Sequence, residues 1–184
     1  MVISIIILVV ILAVLWFVVT YNQLIKWKNL MNEGWSGIDV QLKRRHDLIP
    51  NLVETVKGYS RHEKQLFEEV ARLRNQCSKA ATVKEYSNAE SALTHGIQSL
   101  FAVAEAYPDL KANQNFLVLH KNLVEIEDEI QMARRYYNGT VRNFNILAES
   151  FPSLLVAKAM GFTKADFFEI ETVAEREAPG VNLD

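Results

Sequence analysis

The sequence predicts an all-α fold, in which an N-terminal transmembrane helix is followed by an antiparallel four-helix-type bundle with two long and two shorter helices. Three observations favour this class. A long apolar run that contains a single serine opens the 184 residues, and the residues after it repeat apolar side chains at helical intervals of three and four. Seven Gly and four Pro are few for a loop-rich or all-β chain.

The apolar run predicts a membrane anchor over residues 1–21. Val2–Val19 contains 18 residues and is broken only by Ser4. As a helix it is about 27 Å long, close to the ~30 Å hydrocarbon core of a bilayer. All Asp, Glu, Lys and Arg residues lie at or after Lys26. Aromatic side chains suited to the membrane interface gather at its far end, namely Trp16, Phe17, Tyr21 and Trp27.

A cleaved signal peptide is the alternative reading of this run. It is disfavoured because no Lys or Arg precedes the run, and because Thr20-Tyr21-Asn22-Gln23 offers no small-x-small cleavage site. Lys26 and Lys28 follow the span, so the positive-inside rule predicts an external N-terminus and a cytoplasmic domain. One cysteine in the chain is compatible with a reducing compartment.

Residues 22–151 are predicted to form the bundle. The first helix continues from the anchor to about Tyr59, and Pro50 is expected to kink it. Ser60–Glu63 reads as a capping box for the second helix. The third helix begins at either Thr82 or Ser87, both common N-cap residues.

The fourth helix is capped by Asn113 or Asn115. Its apolar period passes through Asn138-Gly139 without a phase change, so this dipeptide is predicted to be helical rather than a turn. Phe151-Pro152 ends the helix, and residues 152–184 are predicted to form a short helix and an acidic, flexible tail.

Because the first and fourth helices are the longest, we expect an open apolar face near the membrane. Trp27, Met31 and Trp35 share one face of the first helix in this region. Large exposed apolar patches mark association surfaces. The sequence therefore predicts self-association into a homo-oligomer beside the lipid bilayer.

No catalytic, cofactor or metal site is predicted. The only cysteine, Cys77, lies on an apolar stripe and is read as a small buried side chain. Glu-x-x-His, His-Glu-x-x-His, P-loop and nucleophile-elbow motifs are all absent from the sequence. A net charge of -2 disfavours nucleic acid as a partner. The histidines, read as scattered rather than as ligands, are His46, His62, His95 and His120.

The densest basic cluster is Lys43–His46, which contains Arg44 and Arg45. It could bind anionic lipid or an acidic partner. As a helix, it would lie roughly 25–30 Å beyond Lys26, far from the lipid surface. Pairing within the protein, with an acidic helix, is the favoured alternative.

The fourth helix carries four carboxylates in the stretch Glu125–Glu129, followed by a pair of arginines. Glu125 and Glu129 share a face and could do acid–base chemistry if buried together, but a solvated face is favoured for them. Arg134 and Arg135 follow and complete a mixed-charge surface.

Several distinctive motifs follow one another along the chain: Gly34–Arg45 (GWSGIDVQLKRR), Asp47–Tyr59 (DLIPNLVETVKGY), Tyr107–Asn113 (YPDLKAN) and Ala133–Asn138 (ARRYYN), with Tyr21-Asn22 and Phe151-Pro152 at the two ends. In this order they resemble the LemA family. The resemblance covers nearly the whole chain. It implies a bacterial inner-membrane protein with one N-terminal span and a helical domain facing the cytoplasm, and it supplies no reaction, catalytic residue or cofactor.

The leading functional expectation is a membrane-anchored interaction or scaffold protein without catalysis. The alternative is an adaptor for a membrane protease or transporter in envelope stress. An enzyme that uses Glu125 and Glu129 is a third, disfavoured class. The residues predicted for the interaction surface are Trp27, Met31, Trp35, Arg44, Arg45, Arg134 and Arg135.

Overall fold

The computed structural model describes residues 1–60 and 62–169, and within these ranges every regular element is a helix. The all-α class is therefore confirmed, whereas the antiparallel arrangement of four helices stays a prediction. The elements are α1 (Val2–Lys57), α2 (Lys64–Cys77), α3 (Val83–Glu105), α4 (Pro108–Lys111), α5 (Gln114–Glu149) and α6 (Ser153–Ala159). The predicted acidic tail falls mostly in residues 170–184, outside the described residues.

Among the described helices, α1 is the one long and apolar enough to cross a membrane. Its most apolar 18-residue window has a mean hydropathy of 3.4, and none of that window is buried. Exposure of a run this apolar is unfavourable in water and favourable in hydrocarbon. The helix continues without interruption to Lys57 and contains Pro50, so the apolar run and the first residues of the core belong to one continuous helix.

Two of the predicted helix starts are confirmed, and in each case the structure decides between the two candidate capping residues. Thr82 caps α3, because its side-chain oxygen accepts from the Glu85 backbone N–H at 3.2 Å. Asn113 caps α5, since its Oδ1 accepts from the Phe116 N–H at 3.1 Å. Each bond satisfies a backbone donor that the helix leaves unpaired.

The predicted capping box is wrong. The second helix begins at Lys64 with Glu63 at the N-cap position, and no side chain caps it. The Ser60 hydroxyl donates instead to the Tyr107 hydroxyl at 3.3 Å. In contrast, Asn138-Gly139 lies inside α5, so the prediction of an unbroken helix there is confirmed.

The chain divides into two compact units. Over the described residues, the first unit comprises residues 1–41 and 129–167, and the second comprises residues 42–60, 62–128 and 168–169. Both α1 and α5 contribute residues to each unit.

Each unit has its own apolar core. The first unit buries aliphatic and aromatic side chains where α6 packs on α1 and α5, namely Leu24, Phe144, Ala148, Val156 and Ala157. The second unit has a larger cluster drawn from α1 to α5, which includes Ile49, Leu52, Val56, Val70, Leu73, Cys77, Leu93, Leu100 and Leu110. Burial of Cys77 was predicted and is confirmed.

Candidate functional site

The second unit contains a buried ion-pair cluster centred on Arg45 and Glu90. The two residues are 3% and 1% exposed, and Arg45 Nη2 donates to Glu90 Oε2. Arg45 Nη1 donates to Thr94 Oγ1 at 3.0 Å and to Glu127 Oε2 at 2.9 Å. Charges with so little access to water are tolerated only when they are paired and hydrogen-bonded.

His46 is the second residue of α1 that contacts the Glu90 carboxylate. Its Nε2 lies 2.7 Å from Glu90 Oε1, while its backbone carbonyl accepts from Arg74 Nε at 2.9 Å. Glu90 is therefore held by two consecutive residues of α1, one on each carboxylate oxygen. The cluster joins α1, α2, α3 and α5 within the second unit.

The cluster keeps Glu90 ionised. Burial alone raises the pKa of this carboxyl, but the close contact with His46 and the charge of Arg45 outweigh burial and hold its pKa below the ordinary value. The result is a buried carboxylate that is charged at neutral pH.

Cys77 lies beside this cluster and is fully buried. Desolvation, followed by the nearby Glu90 charge, raises the pKa of its thiol to about 12. A thiol with such a pKa is a poor nucleophile at neutral pH. Its neighbourhood therefore favours the structural role predicted for it.

The structure brings together three residue types that can bind metals. One ligand atom each from His46, Cys77 and Glu90 lies within 4.8 Å of the others, so the histidine is not isolated as the sequence analysis expected. Both Glu90 oxygens, however, already contact cationic or donor groups on Arg45 and His46. A divalent cation would have to displace these partners, and the arrangement is better suited to holding the fold together.

Glu90 and Glu127 were missed by the sequence analysis, although a signal for Glu90 exists. Glu90 extends the apolar stripe of Leu93, Ile97 and Leu100 backward by three residues, and Arg45 falls between Leu42 and Ile49 on the stripe of α1. A charged residue at a core position predicts a buried partner of opposite charge. The favoured reading of the basic cluster, pairing within the protein, describes Arg45.

Arg44 and Arg45 are separated by burial. Arg44 is exposed, whereas Arg45 lies inside the ion-pair cluster and offers no surface for a partner. Glu125 and Glu129 are both exposed, as a solvated face requires, and their neighbour Glu127 turns toward Arg45.

The predicted aromatic face is half-buried in the first unit. Trp27 packs against the core of that unit, and the Trp35 ring meets the Tyr137 ring edge-on at a centroid distance of 5.6 Å. Met31 is half-buried as well. These side chains contribute to internal packing, and only part of their surface remains for a partner.

Arg134 and Arg135 line a groove of about 360 Å³ on α5 in the first unit. Arg134 is half-buried and donates to Gln131 Oε1 at 3.1 Å, whereas Arg135 is exposed. A third arginine, Arg142, lies on the same groove, and the remaining lining residues are Gln131, Asn138, Gly139 and Phe167. Guanidinium groups gathered in this way suit carboxylate or phosphate groups.

Comparison with known proteins agrees with the motif resemblance. A sequence model of the LemA family matches residues 34–183. Protein LemA of Metamycoplasma hominis is 26% identical over 168 residues, covering 89% of this chain and 73% of that protein. Magnetosome protein MamQ 2 of Paramagnetospirillum magneticum is 24% identical over 189 residues, covering 86% of this chain and 70% of that protein.

Proposed function

The chain belongs to the LemA family, and from this premise we propose that it is a membrane-anchored helical protein that works by binding other proteins. One observation carries the proposal. The apolar N-terminal stretch of α1 has no buried residue, and the same helix continues into the residues of the core. A domain attached through an unbroken helix is held close to the bilayer in a fixed orientation, as a scaffold or adaptor requires.

We propose a single pass through the bacterial inner membrane, with the N-terminus outside and the helical domain in the cytoplasm. Lys26 and Lys28 directly after the span support this orientation. Fusion of a fluorescent protein that folds only in the cytoplasm to the C-terminus should give fluorescent cells, and fusion of a periplasm-dependent phosphatase should give inactive enzyme. The reverse pattern would overturn the orientation.

We propose that copies of the chain associate beside the membrane through the remaining surface of Trp27, Met31 and Trp35. The mass of the purified protein in mild detergent should then exceed that of one chain. Trp35→Ala should reduce this mass, and Met31→Ser provides a second variant because Trp35 also packs on Tyr137. A monomeric wild-type protein with intact helical content would exclude this part of the proposal.

An adaptor for a membrane protease or transporter is the second candidate, favoured by the arginine-lined groove. An acidic segment of a partner would pair with Arg135 and Arg142, and Arg44 offers a further exposed cation in the second unit. Arg135→Glu with Arg142→Glu should abolish co-purification of a partner without lowering the melting temperature. Lys121→Glu, at another exposed site on α5, should leave co-purification intact; equal loss in both proteins would argue against a specific groove.

A further inference from the structure

We propose that the corner between α5 and α6 rests on the bilayer surface, with Phe151 and Leu155 inserted into the lipid interface beside the α1 span. This inference rests on the proposed anchoring role of α1. It adds a second, peripheral membrane contact formed by residues far from the anchor in sequence.

The first step is the register between α1 and α5 within the first unit. These helices approach so closely at Gly34 that a Cβ atom there would lie 3.1 Å from Tyr137 Cα. Farther along, Leu24 shares a core with Phe144 and Ala148. Lower numbers on α1 thus meet higher numbers on α5, as in an antiparallel pair.

This register places the end of α5 level with the end of the span. Fourteen residues back from Gly34 is Thr20, and fourteen residues forward from Tyr137 is Phe151. At a rise of about 1.5 Å per residue, the step on α1 covers about 21 Å, and the step on α5 covers about 18 Å to Glu149, where that helix ends. Phe151, two residues farther along the chain, therefore lies close to the height of Thr20, the residue that directly follows the apolar run.

The second step is that no spacer separates the membrane run from the folded residues. Val19 is 54% exposed, whereas Thr20 is 6% exposed. The run before Thr20 nearly fills the ~30 Å hydrocarbon core. Whatever covers Thr20 must then lie among the headgroups, which add only about 5–8 Å on each side of a bilayer.

The third step is the composition of the corner. Phe151 is 81% exposed, Leu155 is 58% exposed and Met160 is 47% exposed, although their neighbours Val156 and Ala157 are packed in the core. Lys158 on the same short helix and Lys26 on α1 are exposed. Aromatic and aliphatic side chains next to lysines are the combination that binds the interface of an anionic membrane.

Lipid is the occupant that the position favours. The corner lies beside a segment that itself enters the bilayer, and the side chains of α1 just before Thr20, Phe17 and Val18, are apolar and exposed as well. A second copy could cover the same side chains only by displacing the lipid already present at that height.

The test uses the full chain in vesicles of phosphatidylethanolamine and phosphatidylglycerol, with nitroxide labels at Phe151→Cys and Leu155→Cys. Val10→Cys marks the middle of the span, and Met132→Cys marks an exposed apolar site on α5 about 28 Å farther from Thr20 by the same register. Wild-type protein, with only the buried Cys77, controls for background labelling. Collision of each label with oxygen and with a water-soluble nickel chelate is measured.

Labels at Phe151 and Leu155 should collide more with oxygen and less with nickel than the label at Met132, which should be open to nickel, and they should be less shielded from nickel than Val10 because they lie at the interface. Corner labels as open to nickel as Met132, with Val10 shielded, would overturn this inference and leave the anchor intact. Corner labels shielded from both reagents would assign the corner to a protein contact and also overturn it. A Val10 label open to nickel would overturn the anchor itself.

Discussion

The two units differ, over the described residues, in whether they bury ionised side chains. The second unit buries ionised side chains, with Arg45 and Glu90 almost fully enclosed. The first unit buries neutral ones: Asn145 is 5% exposed, and its side chain both donates to the Ala165 carbonyl at 2.9 Å and accepts from the Ala165 N–H at 2.8 Å. The Tyr137 hydroxyl adds a further neutral bond, donating to the Asp166 carbonyl at 3.0 Å.

This difference sets how each unit should respond to change. A neutral amide that loses its backbone partner leaves a modest desolvation cost, whereas a charge that loses its counter-ion is left stranded in a medium of low polarity. We therefore expect the second unit to be more sensitive to substitution and to acid. Hydrogen exchange read by mass spectrometry separates the two responses, because it reports protection segment by segment.

Removal of Arg45 should have the largest effect. Arg45→Met leaves Glu90 charged without its guanidinium partner, and breaking a buried pair in this way costs about 3–5 kcal/mol. Lys43→Met, two residues away but exposed, should change stability by no more than about 0.5 kcal/mol. Urea unfolding of the detergent-solubilised proteins, with amide protection of α3, measures both.

A double substitution sharpens this prediction. Adding Glu90→Met to Arg45→Met removes the stranded charge, so the double variant should recover part of the lost stability, since apolar side chains often replace buried ion pairs well. If the stability losses of the two single variants instead add in the double variant, Arg45 and Glu90 are not coupled. The expected difference in sensitivity between the two units would then lose its basis.

Acid should destabilise the second unit, by less than Arg45→Met does. Since the folded-state pKa of Glu90 is lowered, its contribution is complete above the unfolded value of ~4.3 and is lost as pH falls through the lower folded value. Protonation of Glu90 removes one counter-ion of the buried Arg45, but Glu127 remains 2.9 Å from Arg45 Nη1, and this second carboxylate limits the loss. Protection factors of α3, corrected for intrinsic exchange, should fall below pH 4 more than those around Asn145; an equal fall in both would contradict the comparison.

Asn145 tests the first unit, whose buried polar side chains are neutral. Asn145→Ala removes both hydrogen bonds to Ala165 and leaves the Ala165 N–H and carbonyl without these partners, at a cost of about 1–3 kcal/mol. The loss should be nearly the same at pH 7 and pH 5, because neither lost bond involves a titratable group. Ile146→Ala, at an exposed neighbouring position, is the matched control, and a strong pH dependence of the Asn145 loss would oppose the interpretation.

Sequence reasoning reached the helices more completely than the polar contacts. Apolar period and N-cap residues act locally, so α3 and α5 could be started at Thr82 and Asn113 from short segments alone. Pairing of Arg45 with Glu90 joins residues 45 positions apart, and no local rule specifies which acid a buried base will meet. Asn145 and Ala165 are likewise too far apart in sequence for a local rule to pair them. The Ser60–Glu63 motif shows that even a local capping pattern can fail, because Ser60 bonds to Tyr107 and α2 has no side-chain cap.

The smallest effect concerns two glycines in one motif of α1, which the sequence treats alike. A Cβ on Gly37 would meet no atom within 4 Å, whereas one on Gly34 would lie 3.1 Å from both Tyr137 Cα and the Tyr136 ring. Gly37→Ala should stabilise the protein by about 0.5–1 kcal/mol through helix propensity alone. Gly34→Ala gains the same propensity but must separate α1 from the α5 backbone in the first unit, so its melting temperature should fall below that of the wild type. Equal shifts for the two variants would show that α5 yields at this crossing and would undermine the register from which the membrane contact of Phe151 was inferred.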